Sequence, residues 1–149
     1  MSQSQARTLA RRSAMQAIYQ WQLTGYALSE IERQFIEEHG LGKADPAYFN
    51  ELLHEIPKRL DVIDAAMGEF IDRSIAEIDP VERAVLRIGA YELLFRPDVP
   101  YRVILNECIN LAKAFGAAQG HKYINGILDR IAHKTRSVEI SAAGRKPRV

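Results

Sequence analysis

The sequence predicts an all-α domain of about seven helices. Three observations carry this. Apolar residues recur at spacings of three and four along most of the chain, no stretch between turn signals sustains the alternation of a strand, and Gly and Pro interrupt the pattern at helix-length intervals. The chain of 149 residues is the size of one domain, and a domain of about 150 residues buries roughly 68–70% of its unfolded surface. No covalent staple is needed to hold it.

Ala10, Ala14, Ala17, Ile18 and Trp21 form one helical stripe, which predicts a first helix from about residue 6 to a stop at Gly25. Ser29 is placed to cap a second helix holding Ile31, Phe35 and Ile36 and ending at Gly40. Asp45-Pro46 sets an N-cap residue before a first-turn proline, opening a third helix with Phe49, Leu52, Leu53 and Ile56. Pro57 should break or kink it. A fourth follows through Leu60, Ile63, Ala66, Met67, Phe70 and Ile71.

The fifth helix has the clearest start: Asp79 as N-cap, Pro80 at the first position and Glu82 at the third, ahead of Val81, Ala84, Val85, Ile88 and Tyr91. Residues 96–100 (Arg-Pro-Asp-Val-Pro) end it. A sixth runs through Ile104, Cys108, Leu111 and Phe115 to Gly116, and a seventh from near Gly120 through Ile124, Ile127, Leu128 and Ile131. The reading is one domain over residues 1–137 and a basic, disordered tail over 138–149, where apolar bulk is lacking.

One cysteine, Cys108, cannot form an internal disulfide, and no Cys/His cluster has zinc-site spacing. A reducing, cytoplasmic setting is expected, with no metal and no cofactor. No apolar run approaches the 18 or so residues of a membrane span. The acid-free, arginine-bearing start could suggest a presequence, but it runs into Trp21 and Leu23 without a cleavage-like break. The net charge of +1 conceals segregation: +3 over residues 1–24, −8 over 25–79 and +6 over 80–149. The basic ends can fold together against an acidic middle.

Catalysis finds little support. Cys108 falls on the apolar stripe with Ile104 and Leu111, as a buried small hydrophobe does. Glu37, Glu38 and His39 are consecutive, so they fan round a helix. No phosphate loop, nucleophile elbow or His-x-x-x-His helix is present. The protein is read as a non-enzyme.

Four ordered motifs then stand out: residues 85–93 (VLRIGAYEL), 98–103 (DVPYRV), Asn106-Glu107 with 111–116 (LAKAFG), and 121–129 (HKYINGILD). Together with Arg11, Ala14, 16–19 (QAIY) and 21–23 (WQL), they resemble the NusB family. The match covers helices one and five to seven well and the acidic middle only loosely. The resemblance implies two packed three-helix-like halves, recognition of boxA-type single-stranded RNA, and pairing with the ribosomal protein called NusE, in the setting of the transcription elongation complex.

Arg7 and Arg11 are four apart, and Arg12 follows within the same turn. Such a cluster suits successive phosphates, because Lys/Arg contacts supply most sequence-independent RNA affinity. A solvated helix terminus is the plain alternative. The resemblance favours RNA, although family members often show a denser arginine cluster where this chain has Thr8 and Leu9. Tyr19 and Leu23, spaced i, i+4, lie roughly opposite the core stripe. They pack either on another helix of the chain or on a partner; the resemblance implies the NusE contact here, with Glu82 and Arg87 as polar members.

Gly120-His121-Lys122-Tyr123 opens the seventh helix, where free N–H groups and the dipole favour an anion. Lys122 and His121 suit phosphate. Tyr123 is either a core-edge aromatic or a platform for a splayed base, and the resemblance implies RNA contact by Lys122 and Tyr123. Family members commonly carry an acidic pair followed by serine at Ala118-Gln119-Gly120, and this chain lacks both charges. The function expected is transcription antitermination through boxA-type RNA and NusE. The alternative is a helical protein-interaction module without an RNA role.

Overall fold

The computed structural model describes residues 1–144, with side chains through residue 142. Ser2 opens the first helix with a reciprocal cap: its hydroxyl accepts from the Gln5 N–H at 3.1 Å, and Gln5 accepts the Ser2 N–H at 2.9 Å. Satisfying these end groups starts α1 (Gln3–Thr24) three residues ahead of the predicted start. It stops where expected, at Gly25, whose φ of 67° is the left-handed conformation glycine adopts freely.

The second helix, α2 (Leu28–Glu38), has Ala27 rather than Ser29 at its N-cap and makes no side-chain cap. In α3 (Pro46–Lys58), Asp45 caps as predicted, accepting from the Tyr48 N–H at 3.1 Å. Pro57 lies in the last turn, and the chain leaves the helical conformation at Arg59 before α4 (Leu60–Gly68). Phe70 and Ile71, expected inside the fourth helix, follow it. A short 3₁₀ turn (Ile75–Glu77) then leads to α5 (Pro80–Phe95), α6 (Tyr101–Phe115), α7 (Gly120–Thr135) and α8 (Ser137–Gly144).

Helices α1 to α3 pack as one half and α5 to α7 as the other, joined by α1 against α5. The hub is α5, buried at every position from Ala84 to Leu93. At Gly89 an added Cβ would fall 2.7 and 2.8 Å from the Leu128 methyls and 3.0 Å from the Cys108 sulfur. The missing side chain therefore sets how closely α6 and α7 approach α5. Cys108 is fully buried, as expected, and burial pushes its thiol pKa up.

Two departures concern charge. Trp21, assigned to the core stripe, is only half-buried, while Arg11 is 2% exposed and lies inside. The second is the tail. Residues from 138 onward were expected to be disordered, yet α8 continues to Gly144. The reason is Arg136, buried against the end of α5 and the turn into α6. It donates to the carbonyls of Glu92, Leu93, Arg96 and Val99 at 2.8–3.1 Å and pairs with Glu139 at 2.7 Å. Glu139 in turn accepts from the Tyr101 N–H at 2.8 Å, covering the start of α6, where Pro100 offers no side-chain cap. One residue pair thus satisfies end groups of two helices. Residues 145–149 of the predicted tail lie outside the described residues. Among the described residues no helix is long and apolar enough to cross a membrane.

Candidate nucleic-acid interface

The helical step of about 100° per residue decides where the three N-terminal arginines go. Arg7 and Arg12, five residues apart, point about 140° away from each other, and Arg11 points between them into the protein. Arg7 is half-buried, with its guanidinium 4.6 Å from the Tyr48 ring centroid. It has no carboxylate partner among the described residues. Arg12 is exposed and lies 4.9 Å over the Phe115 ring, at the end of α6.

Arg11 corrects the sequence reading. Its Nε and Nη2 donate to both Glu92 oxygens at 2.7 and 2.8 Å, and the Tyr48 hydroxyl donates to the same carboxylate at 2.6 Å. Glu107 stands 3.8 Å away and itself accepts from the Thr8 hydroxyl at 2.6 Å. Burial alone would lower the Arg11 pKa, but the bonds and charge of Glu92 outweigh it and hold the guanidinium charged. Burial beside Glu92 likewise raises the Tyr48 phenol. This is a buried structural network tying α1, α3, α5 and α6. Arg11 has no face left for phosphate.

Phe115 ends α6, and residues 116–119 lead into α7, so Arg12 and the α7 start flank one turn. Lys122 is exposed there, and His121 is half-buried with its Nδ1 unpartnered among the described residues. Tyr123 is half-buried: the Arg73 guanidinium lies 4.6 Å from its ring centroid, and its hydroxyl is 3.5 Å from Asp72. Burial is the main cause of its raised phenol pKa. Lys122 and Tyr123 share a depression of about 280 Å³ with Phe70, Asp72, Gly126 and Arg130. Tyr123 is thus a core-edge aromatic that keeps an exposed surface. Arg73, Phe70 and Arg130 were not foreseen; Arg73 lies 50 residues before Tyr123, and no local pattern joins them.

At the other end of α1, Leu23 is 56% and Tyr26 is 55% exposed, while Tyr19 packs partly on the core. Tyr26 was missed because it falls beyond the helical stop. Arg87 is again a correction. It is 7% exposed, donates to both Asp64 oxygens at 3.0 and 2.9 Å, and donates to Gln22 Oε1 at 2.9 Å. Gln22 also donates to the Pro80 carbonyl at 2.9 Å. Arg87 therefore clamps α1, α4 and α5 behind this surface and is not displayed on it.

Glu82 does not complete the capping box its position suggests. Asp79 accepts from the Val81 and Glu82 N–H groups at 3.1 and 3.2 Å, but no bond returns from Glu82. Its carboxyl instead reaches α7, where a Cβ on Gly120 would collide with it. Burial, then the charge of Asp79, raises its pKa against the opposing pull of Arg73.

The profile of the NusB family matches residues 8–133. A transcription antitermination protein NusB from Nitrosococcus oceani is 51% identical, covering 98% of this chain and 98% of that protein. Its counterpart from Methylococcus capsulatus is 44% identical, covering 95% of this chain and 99% of that protein. Among solved structures, NusB of T. maritima superposes with a TM-score of 0.75 at 30% identity, over 86% of this chain and 91% of that one. A crystal structure of antitermination factors NusB and NusE in complex with dsRNA gives 0.77 at 23% identity, over 87% of this chain and 98% of that one, a likeness of fold.

Proposed function

The chain belongs to the NusB family, and on that premise we propose that it serves transcription antitermination by holding boxA-type single-stranded RNA together with NusE. The observation that carries this is near full-length similarity to proteins named for that activity. The geometry supports a division of labour. Arg12, His121, Lys122 and Tyr123 flank the turn between α6 and α7 and form the RNA side, joined by Arg73 and Arg130. Arg7 contributes from a separate face of α1, about 140° round the helix from Arg12. The cations hold phosphates, and Tyr123 offers its ring to a splayed base.

Tyr19, Leu23, Tyr26 and Glu82 form the NusE side, with Arg87 positioning them from behind. The protein acts by binding, in the cytoplasm, as a non-enzyme. RNA affinity rises when NusE is bound, because two surfaces then share one strand. Titration of the protein, with and without NusE, against labelled boxA-like RNA and a scrambled control tests this. Preferential, salt-sensitive binding of the boxA-like RNA is expected. Equal weak binding of both RNAs, with and without NusE, would leave a protein-interaction module in its place.

A further inference from the structure

A helix interior disfavours glycine, yet Gly126 sits in the middle of α7. Neither common reason for one applies. Positive φ among the described residues is confined to Gly25, Gly40 and Gly42, and a Cβ built on Gly126 would meet nothing within 4 Å. No turn needs this glycine and no neighbouring helix presses on it, in contrast to Gly89 beneath Leu128 and Cys108. What the missing side chain leaves is room. Gly126 is exposed and lies in the depression of about 280 Å³ that Phe70 and Tyr123 border.

The groups around that room are of three kinds. Phe70 and Tyr123 supply aromatic surface, and Arg73, which lies over the Tyr123 ring at 4.6 Å, does not line the depression. Lys122 and Arg130 stand four residues either side of Gly126 on one stripe of α7, both exposed and neither paired with a carboxylate among the described residues. Asp72 supplies an acceptor. Arg73 Nε and the Tyr123 hydroxyl both donate to its Oδ1, at 2.9 and 3.5 Å, and Oδ2 accepts nothing among the described residues. The bond from Arg73 holds the Asp72 carboxyl below its usual range, so it is ionised and accepts only.

We propose that this depression is a pocket for one unpaired nucleobase bearing an exocyclic amine, with Phe70 and Tyr123 as stacking surface, Asp72 on the amine, and Lys122 and Arg130 on the flanking phosphates. The inference rests on the RNA reading above and supplies part of its sequence preference. Single-stranded RNA is read by stacking splayed bases on aromatic rings and bonding their edges. Phosphate contacts position a strand without naming a base, and the free Asp72 oxygen is what names one. It accepts from the amine of cytosine, whereas uracil carries a carbonyl oxygen at that position, which a carboxylate repels.

Short oligocytidylate and oligouridylate are the probes, because a homopolymer presents the same base in every register and the two differ at the edge facing Asp72. In anisotropy titrations at low salt, the parent protein should bind oligocytidylate severalfold more tightly than oligouridylate. Asp72→Asn, whose amide both donates and accepts, should bring the two affinities together. It also removes a charge, so the ratio of affinities is the readout. Gly126→Leu fills the depression, keeps both cations and meets no neighbour at its Cβ. It should weaken oligocytidylate binding by roughly 5- to 150-fold, as loss of one stacked base does, and melt no lower than the parent. A Gly126→Leu protein that binds RNA like the parent, or a cytidylate preference that survives Asp72→Asn, overturns the proposal; if boxA-like RNA is still preferred over a scrambled control, the boxA reading is kept. If the homopolymers behave as expected while boxA-like and scrambled RNA bind alike, the pocket stands and the boxA reading fails.

Discussion

Arg11→Ala should behave unlike the neighbouring arginine substitutions, and the difference follows from burial. Glu92 is fully buried, and its oxygens are bonded by Arg11 at 2.7 and 2.8 Å and by the Tyr48 hydroxyl at 2.6 Å. Removing Arg11 leaves an uncompensated carboxylate in the core, and breaking a buried pair in this way costs about 3–5 kcal/mol. In a chain of this size each kcal/mol moves the melting temperature by about 2–4 °C, so the loss should be roughly 6–20 °C. Arg12 is exposed and stacks on Phe115 at 4.9 Å. Arg12→Ala forfeits about 0.5–1 kcal/mol, a shift of no more than about 4 °C. Thermal melts followed by far-UV circular dichroism compare the two. Arg11→Met with Glu92→Gln, which removes both charges but keeps a partner for Tyr48, should recover most of the loss. An Arg11→Ala protein that melts within about 2 °C of the parent, and binds RNA with a flattened salt dependence, would refute the buried-pair account and return Arg11 to the RNA surface.

Leu23→Asp should weaken NusE binding by roughly 30-fold or more, as loss of a central apolar anchor does, and shift the melting temperature by no more than about 2 °C; a collapsed melt with NusE binding intact would place Leu23 in the core. Replacing Arg12 and Lys122 together by alanine should flatten the dependence of log K on log salt by about 1.4, since each single-strand phosphate contact contributes about 0.7; an unchanged slope removes both from the RNA path. Glu82→Gln should report on pH. A carboxyl whose folded pKa is raised above its ordinary value of 4.5 contributes stability that is fully present below that value and is lost as pH rises through the folded one. The variant, which does not ionise, should therefore melt above the parent at pH 7 and approach it below about pH 4.5. A constant difference across that window would show that the carboxyl is solvated.

What was legible in the sequence is what neighbours in the chain decide. Asp45-Pro46 and Asp79-Pro80 start helices because cap and proline act within four residues, and Gly25 stops one through its own φ. Lys122, offered to phosphate, and Leu23, left between a second helix of the chain and a partner, are both exposed because the core periodicity excludes them. Arg11 was misplaced because its partner is 81 residues away, and a charged residue on the edge of an apolar stripe looks solvated until that partner is known. Arg87 fails for the same reason, with Asp64 on another helix. At Glu82 and Gly120 each local reading was sound in isolation: an acid at the third position of a helix, and a glycine at the start of another. Gly120 does start α7, but the contact between the two was not legible, and it is Glu82 that departs from its local reading. Helix α8 was invisible because its composition is poor and its stability comes from Arg136 and Glu139 reaching back to α5 and α6.

Arg136 also bears on how the protein is made. The carbonyls it satisfies at Glu92 and Leu93 are translated 43 or 44 residues before it. At about 5–20 residues per second, α5 waits roughly 2–9 s for the guanidinium that finishes its end. Over that interval the corner between α5 and α6 depends on water for its carbonyls, and Glu139 has not yet arrived to cover the α6 start. The nascent bundle can collect its apolar faces early, but its joints are set only when α8 clears the ribosome. A synonymous pause that delays the emergence of α8 should therefore lengthen a protease-sensitive stage of synthesis.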